Sequence, residues 1–373
     1  MRITGVRLGL LRVPLRTPFV TALRTVDAVG DVIVLLDTDA GLSGHGSAAP
    51  AVAITGDSEA SIATAIRGPL ARAVLGRDPD DLDDACAAVQ SALPGAPGAK
   101  AAVEIALHDL AAQARALPLH ALLRERAGLP PAPAHVPDTD LTISVGTPAA
   151  MAADARAALA RGFTVLKIKL GREPALDDAR VRAVHAAVAG AAALRLDANQ
   201  AWDEATAIAL MQALEADGIR AQLLEQPVPA RAIAALARVR AAIATPVMAD
   251  EAVFDADDAR RVLDAGAAAI LNIKLAKAGG ISGAMRIADL AAARGVACMV
   301  GCMLESPVGV AAAAHFAAAR ADVVTGVDLD PPALCTGNPV VGGARFDGPR
   351  IRLADAPGLG IVALPTLQPL AAD

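Results

Sequence analysis

The chain has 373 residues, 54% apolar and 20% charged, which excludes a disordered or fibrous chain and permits a large core. At about 150 residues per domain it suggests two domains, although an α/β barrel of about 200–250 residues counts as one. A net charge of −6, 2% aromatics and no Tyr exclude a general attraction to nucleic acid or anionic membrane, and base-stacking platforms.

In chain order, residues 3–15, 31–36 and about 42–47 read as strands, the second closed by a turn ending at Gly41. Helical stretches follow at 57–75 and 80–93, opening on Asp57 and Asp80 as N-caps, then at 99–117 and 118–127. Strands followed by helices without alternation suggest a small α+β domain over 1–130, ended by a Pro-rich linker at 128–134. From about residue 136 short apolar runs alternate with Ala-rich helical stretches. The runs lie at 141–146, 164–170, 193–199, 221–227, 246–251, 269–275, 296–302 and 323–330. Lys169, Asp197, Glu225, Asp250 and Lys274 end five of them in succession at intervals of 24 to 28 residues. Eight such units predict a parallel (β/α)8 barrel over 131–340 with its catalytic face at the strand C-termini. The tail, 341–373, lacks this rhythm and is expected to return to the first domain.

No apolar run is long enough to span a bilayer, and Arg2, Arg7 and Arg12 interrupt any apolar signal core. Cys86, Cys298, Cys302 and Cys335 form no CxxC, the pattern of reduced cysteines in a cytoplasmic protein. Of 34 basic residues only five are Lys, and four of these sit in the segments VLKIKLG and LNIKLAKAGG. Arg replaces Lys as a solvated cation but cannot serve as a proton-accepting base, so these lysines point to chemistry.

Asp197, Glu225 and Asp250 end the third, fourth and fifth barrel strands. One such acid would read as a helix cap. Three converging carboxylates repel one another unless a cation sits among them, and an oxygen-only set suits Mg2+. The six His are scattered and no HExxH occurs, which argues against zinc. Lys167 and Lys169 share one face of the second strand. Lys274 ends the sixth, opposite the second in an eight-strand ring. A base on each side of one carbon can remove a proton from one face and return it to the other, the geometry of racemisation or epimerisation. Asp328 and Asp330, on one face of the eighth strand, could hold a cationic group of a small-molecule substrate. The segment AGGISGA (278–284) opens a helix and reads as a tight turn or an anion cradle. Trp202 either lines the pocket or packs, and Cys298 and Cys302 read as core residues.

As an ordered set, KIK (167–169), DAN (197–199), EQP (225–227), ADE (249–251) and NIKLAKAGGISGA (272–284) resemble the enolase superfamily, in its muconate-lactonizing-enzyme subgroup, over essentially the whole chain. Within it the chain is most similar to dipeptide epimerases of the L-Ala-D/L-Glu type, through TPFVTALRTV (17–26), GCMLES (301–306) and VDLD (327–330). Ala252 and Ala201 stand where Ser and Gly are common in that family. The resemblance implies an α+β capping domain, completed by the C-terminal tail, over a modified barrel. It implies Mg2+ on Asp197, Glu225 and Asp250, binding the substrate carboxylate and stabilising an enolate. It makes Lys169 and Lys274 the two bases, with Lys167 beside the enolate. It places Arg24 on the substrate's Glu side chain, Asp328 and Asp330 on the dipeptide's ammonium, and Met303 at the substrate. A homo-oligomer is compatible with this reading, and Glu305 has no assigned role.

Muconate cycloisomerase, o-succinylbenzoate synthase and N-succinylamino-acid racemase would share the metal and lysines but need no carboxylate pair for an ammonium. A Schiff-base aldolase would need no Mg2+. A non-catalytic barrel would have no reason to set lysines across its mouth.

Overall fold

The computed structural model describes residues 1–21 and 25–370. An antiparallel sheet opens the chain. Strand β1 (Ile3–Val20) pairs with β2 (Thr25–Thr38), and β2 with β3 (Ser43–Ala48). The turn between β2 and β3 uses Gly41 at φ 78°, where a side chain would be strained. The apolar run of β2 is buried on both faces. Val32, Val34 and Leu36 join the main core with the capping helices, while Ile33 and Leu35 pack with Leu11 and Val308 of the barrel. The tail does return: Gln368–Pro369 adds to the free edge of β1 at Leu10 and Gly9.

The helix Pro97–Ala114 lies on β3, close enough that two strand glycines are required. A Cβ on Gly46 would stand 1.8 Å from the Ala102 carbonyl oxygen, and one on Gly44 2.2 Å from that of Ala106. Both obstacles are helix backbone. Gly46→Ala should therefore destabilise the protein by about 2–3 kcal/mol. Gly30→Ala, whose Cβ meets nothing nearer than 3.9 Å, should cost far less. Urea unfolding of the two variants checks this, and equal midpoints would contradict it. The first capping helix differs at its start from the expected Asp57 cap. Ser58 is the N-cap, in a reciprocal pair with Ser61, and Asp57 instead accepts the Gly98 N–H at 2.9 Å.

Eight parallel strands follow: β4 (Leu141–Ile143), β5 (Val165–Lys169), β6 (Ala193–Asp197), β7 (Leu223–Glu225), β8 (Val247–Ala249), β9 (Ile270–Ile273), β10 (Ala297–Gly301) and β11 (Val324–Asp328). Each pairs with the next in chain order, and helices cross between them. The expected barrel is present, with one modification. Between β11 and β4 there is only an isolated bridge, Thr139 to Val327. Side chains close this seam. Arg195 donates to the Val327 carbonyl at 2.8 Å and to Asp140 at 2.7 Å. Thr139 Oγ1 accepts the Leu329 N–H at 2.8 Å, and Asp330 Oδ2 accepts the Thr142 N–H at 2.6 Å.

The capping domain is pinned to the barrel by polar contacts. The helix opened by AGGISGA does cradle an anion, and the anion is the protein's own Glu104. Its carboxylate accepts from Ser282 N at 2.9 Å and Ser282 Oγ at 2.6 Å, and Gln90 donates to it at 2.6 Å. Among the described residues no helix is long and apolar enough to cross a membrane.

Candidate active site

A cavity opens at the C-terminal end of the barrel, roofed by Phe19, Thr21, Ala51, Ala53 and Ile54 of the capping domain. Strand alternation delivers the chemistry. Lys167 and Lys169 point the same way from β5. Asp197 and Glu225 pair in register at the ends of β6 and β7, and Asp250 directly follows β8, two residues beyond the Met248 that pairs with Glu225. Lys167, Lys169, Asp250, Lys274, Met303, Asp328 and Asp330 line the cavity. Arg24 lies outside the described residues.

Each carboxylate of the trio is buried and each meets an ammonium. Lys167 Nζ lies 2.6 Å from Glu225 Oε2, 2.7 Å from Asp328 Oδ2 and 3.0 Å from Asp197 Oδ2. Lys169 Nζ is 2.6 Å from the same Asp197 oxygen. Across the mouth, Lys274 Nζ is 2.8 Å from Asp250 Oδ2. The two candidate bases thus approach the trio from its two ends. Asp328, on the eighth strand, is joined to the trio by Lys167, which bridges them. Asp330 lines the cavity but gives one oxygen to the seam.

These pairings set the charges. Burial and then Asp197 push Glu225 up to about 8. Burial also opposes ionisation of Asp250, yet Lys274, Lys277 and Lys167 hold it far below the usual carboxylate range. Asp328 is likewise held low against its burial, by Lys167 first. Burial works against charged Lys167 and Lys274, but the facing carboxylates raise both above the usual lysine value. Burial and then Asp328 push Asp330 up to about 6.

Three carboxylates from neighbouring strand ends make an oxygen-only donor set, which fits a hard divalent cation. Nearby, Glu251 Oε2 and Asn199 Oδ1 are buried without a protein partner, as fits groups that turn toward a bound ion or its waters.

Four supporting residues stand around the trio; of these the sequence reading singled out only Lys277, as one of the rare lysines, without giving it a role. Lys277 Nζ donates to Asp250 Oδ1 at 2.6 Å and to its carbonyl, and lies over the Phe254 ring. Its rarity as a lysine was the available signal. Asn272 Nδ2 donates to Glu225 at 3.0 Å. Glu251 accepts from Asn199 Nδ2 at 3.2 Å, and burial pushes it to about 7. Gln226 Oε1 accepts the N–H groups of Asp250 and Ala252 at 3.0 and 3.1 Å. Trp202 packs rather than lining the pocket, with its Nε1 donating to Asp177 at 2.9 Å. Cys298 is buried in the core as expected, whereas Cys302 lines the cavity.

Residues 4–124 match the mandelate racemase / muconate lactonizing enzyme N-terminal domain, and residues 150–365 the enolase C-terminal domain-like family. The L-Ala-D/L-Glu epimerase of Clostridium acetobutylicum is 43% identical over 97% of this chain and 99% of its own. The substrate-liganded L-Ala-D/L-Glu epimerase of Bacillus subtilis superposes with a TM-score of 0.93 at 42% identity, covering 97% of this chain and 99% of that one. The dipeptide epimerase of Enterococcus faecalis, solved with Mg and L-Leu-L-Tyr, gives 0.91 at 37% identity, over 97% and 100%. With both domains matched and relatives aligned along nearly its full length, the chain belongs to the mandelate racemase / muconate lactonizing enzyme family.

Proposed function

We propose that the protein is a Mg2+-dependent dipeptide epimerase that inverts the α-carbon of the C-terminal residue, with L-Ala-D/L-Glu as its substrate. The observation that carries this is the placement of Lys169 and Lys274 on opposite sides of one cavity, each beside a different carboxylate of a buried trio. The named activities of the relatives support it.

Asp197, Glu225 and Asp250 would hold the ion, which when bound supplies positive charge against the substrate carboxylate. The rest falls to the chain's own side chains. Lys169 takes the α-proton from one face and Lys274 returns one to the other, or the reverse for the other epimer. Lys169 rests on Asp197 and Lys274 on Asp250, which holds each base beside the trio. Lys167 stays buried beside Asp197 and adds a fixed positive charge under the reacting carbon. Asp328 and Asp330 receive the dipeptide's ammonium. The four unpaired cysteines fit a reducing compartment, the cytoplasm.

A library of dipeptides incubated in D2O and read by mass spectrometry tests the assignment. Deuterium should enter the α-carbon of the C-terminal residue of L-Ala-L-Glu. Exchange in no dipeptide would overturn the proposal.

Phe19, Ile54 and Met303 on the cavity wall favour a second reading, an apolar C-terminal residue. Arg24 decides between them. A charge-assisted contact is worth about 1.5–3 kcal/mol, so Arg24→Met should lower kcat/KM for Ala-Glu by about ten- to a hundredfold. Ala-Leu should be nearly unaffected. N-acetylated Ala-Glu should be a poor substrate of the unmodified enzyme, since it leaves Asp328 and Asp330 without their cation. Equal slowing of Ala-Glu and Ala-Leu would remove the acidic preference.

A further inference from the structure

Asp31 lies at 0% exposure on the face of β2 that meets the barrel. Its Oδ2 accepts Ser47 Oγ from β3 at 2.6 Å and the backbone N–H of Ser306 at 2.7 Å. The two serine hydroxyls stand 3.1 Å apart. Its other oxygen is buried without a partner, and among the described residues no cation pairs with it. Apolar neighbours on this face, Leu11, Ile33 and Val308, already supply packing. An unpaired buried acid is a poor source of stability, so its use must lie in what it holds together.

What it joins are the two chain segments that wall the cavity. Ser47 lies four residues before Ala51, in the run that carries Ala51, Ala53 and Ile54, and Ser306 lies two residues after Leu304, in the run that carries Met303 and Leu304. Glu305, next to Ser306, turns back to accept the Met303 N–H at 2.8 Å. Met303 in turn packs against Ala49, Ala51 and Ile54. The contact therefore runs in a closed loop, from Asp31 through both serines to the cavity wall.

We propose that Asp31 is a positioning residue for the substrate cavity: by gripping Ser47 and Ser306 together it sets the capping segment 51–54 against the barrel segment 302–305, and so the wall that meets the substrate side chain. The effect on dipeptides rests on the epimerase reading above. The positioning itself does not. Burial favours the neutral form of the Asp31 carboxyl, so Asp31→Asn, which keeps an acceptor oxygen, is the conservative variant.

The test compares Asp31→Ala, Asp31→Asn and Ser47→Ala with the unmodified enzyme by steady-state kinetics and by hydrogen–deuterium exchange of peptides covering 46–56 and 298–308. Losing both buried hydrogen bonds should raise KM for the accepted dipeptide about tenfold in Asp31→Ala, with kcat within about threefold. The ratio of kcat/KM between Ala-Glu and Ala-Leu should move, both segments should exchange faster together, and Asp31→Asn should restore the unmodified values. A lowered Tm with unchanged KM, ratio and segment exchange would overturn the role. Should Asp31→Ala not fold, Ser47→Ala removes the capping-side bond and the serine–serine contact, keeps the Ser306 N–H bond to Asp31, and is held to the same outcomes. If the unmodified enzyme labels no dipeptide, the proposed function fails, and coupled exchange of the two segments still decides the positioning role.

Discussion

Lys169→Ala and Lys274→Ala should each abolish net interconversion of the epimers, by a factor of about 10²–10⁴, the usual contribution of a positioned general base. The two variants should not be equivalent. Lys169 and Lys274 come from β5 and β9, with three strands between them, and contact opposite members of the trio. Neither lysine can therefore take over the other's face. A variant keeping one base can still lift the proton from the epimer that presents it, and put solvent deuterium back on the same face. Each variant should label one epimer of Ala-Glu in D2O without inverting it, and the two should label opposite epimers. Chiral chromatography with mass spectrometry separates labelling from inversion. Inversion at the unmodified rate in either variant, or labelling of the same epimer by both, would remove the two-base assignment.

How far the sequence carried this site depends on the range of each signal. The eight barrel strands were legible because a βα repeat brings a polar residue to the same rim every turn, and Lys169, Asp197, Glu225, Asp250 and Lys274 kept that spacing. The α+β capping architecture was legible in the unalternated strands and helices. What escaped depends on closure in three dimensions. The eighth strand carrying Asp328 is not a neighbour of the strands that carry the trio, and the long Lys167 side chain spans the gap. Asp330's bond to Thr142 exists because the backbone ladder stops at the seam, and no local pattern marks where a ladder stops. The anion under AGGISGA comes from Glu104, 178 residues away in sequence. Lys277 and Glu251 sit four and two residues beyond the ends of β9 and β8, where the rim periodicity no longer distinguishes site from support.

Asp197→Asn should leave the fold intact and remove both metal binding and turnover. The first half needs argument, because neutralising one member of a buried ion cluster commonly costs about 3–5 kcal/mol. Here the cluster holds a reserve. After burial, the charge of Asp197 is the next largest influence pushing Glu225 up to about 8. Once that charge is gone, Glu225 ionises more readily, 2.6 Å from Lys167, and restores much of the lost compensation. Asn also keeps an acceptor for the Asn199 N–H, which Asp197 Oδ1 now accepts at 2.9 Å. The second half follows from the donor set. A neutral amide oxygen is a weak ligand for a hard divalent ion, and Lys167 and Lys169 would then face the site with one carboxylate fewer to hold them. Mg2+ affinity by calorimetry should fall at least about a hundredfold, equivalent to about 2.7 kcal/mol. The unmodified protein should gain thermal stability with added Mg2+, by linkage, while Asp197→Asn should gain none. In the unmodified enzyme excess EDTA should stop turnover and Mg2+ should restore it. Full activity in EDTA, or a variant that binds Mg2+ as tightly as the unmodified protein, would show that the trio is a lysine-neutralising cluster and not a metal site.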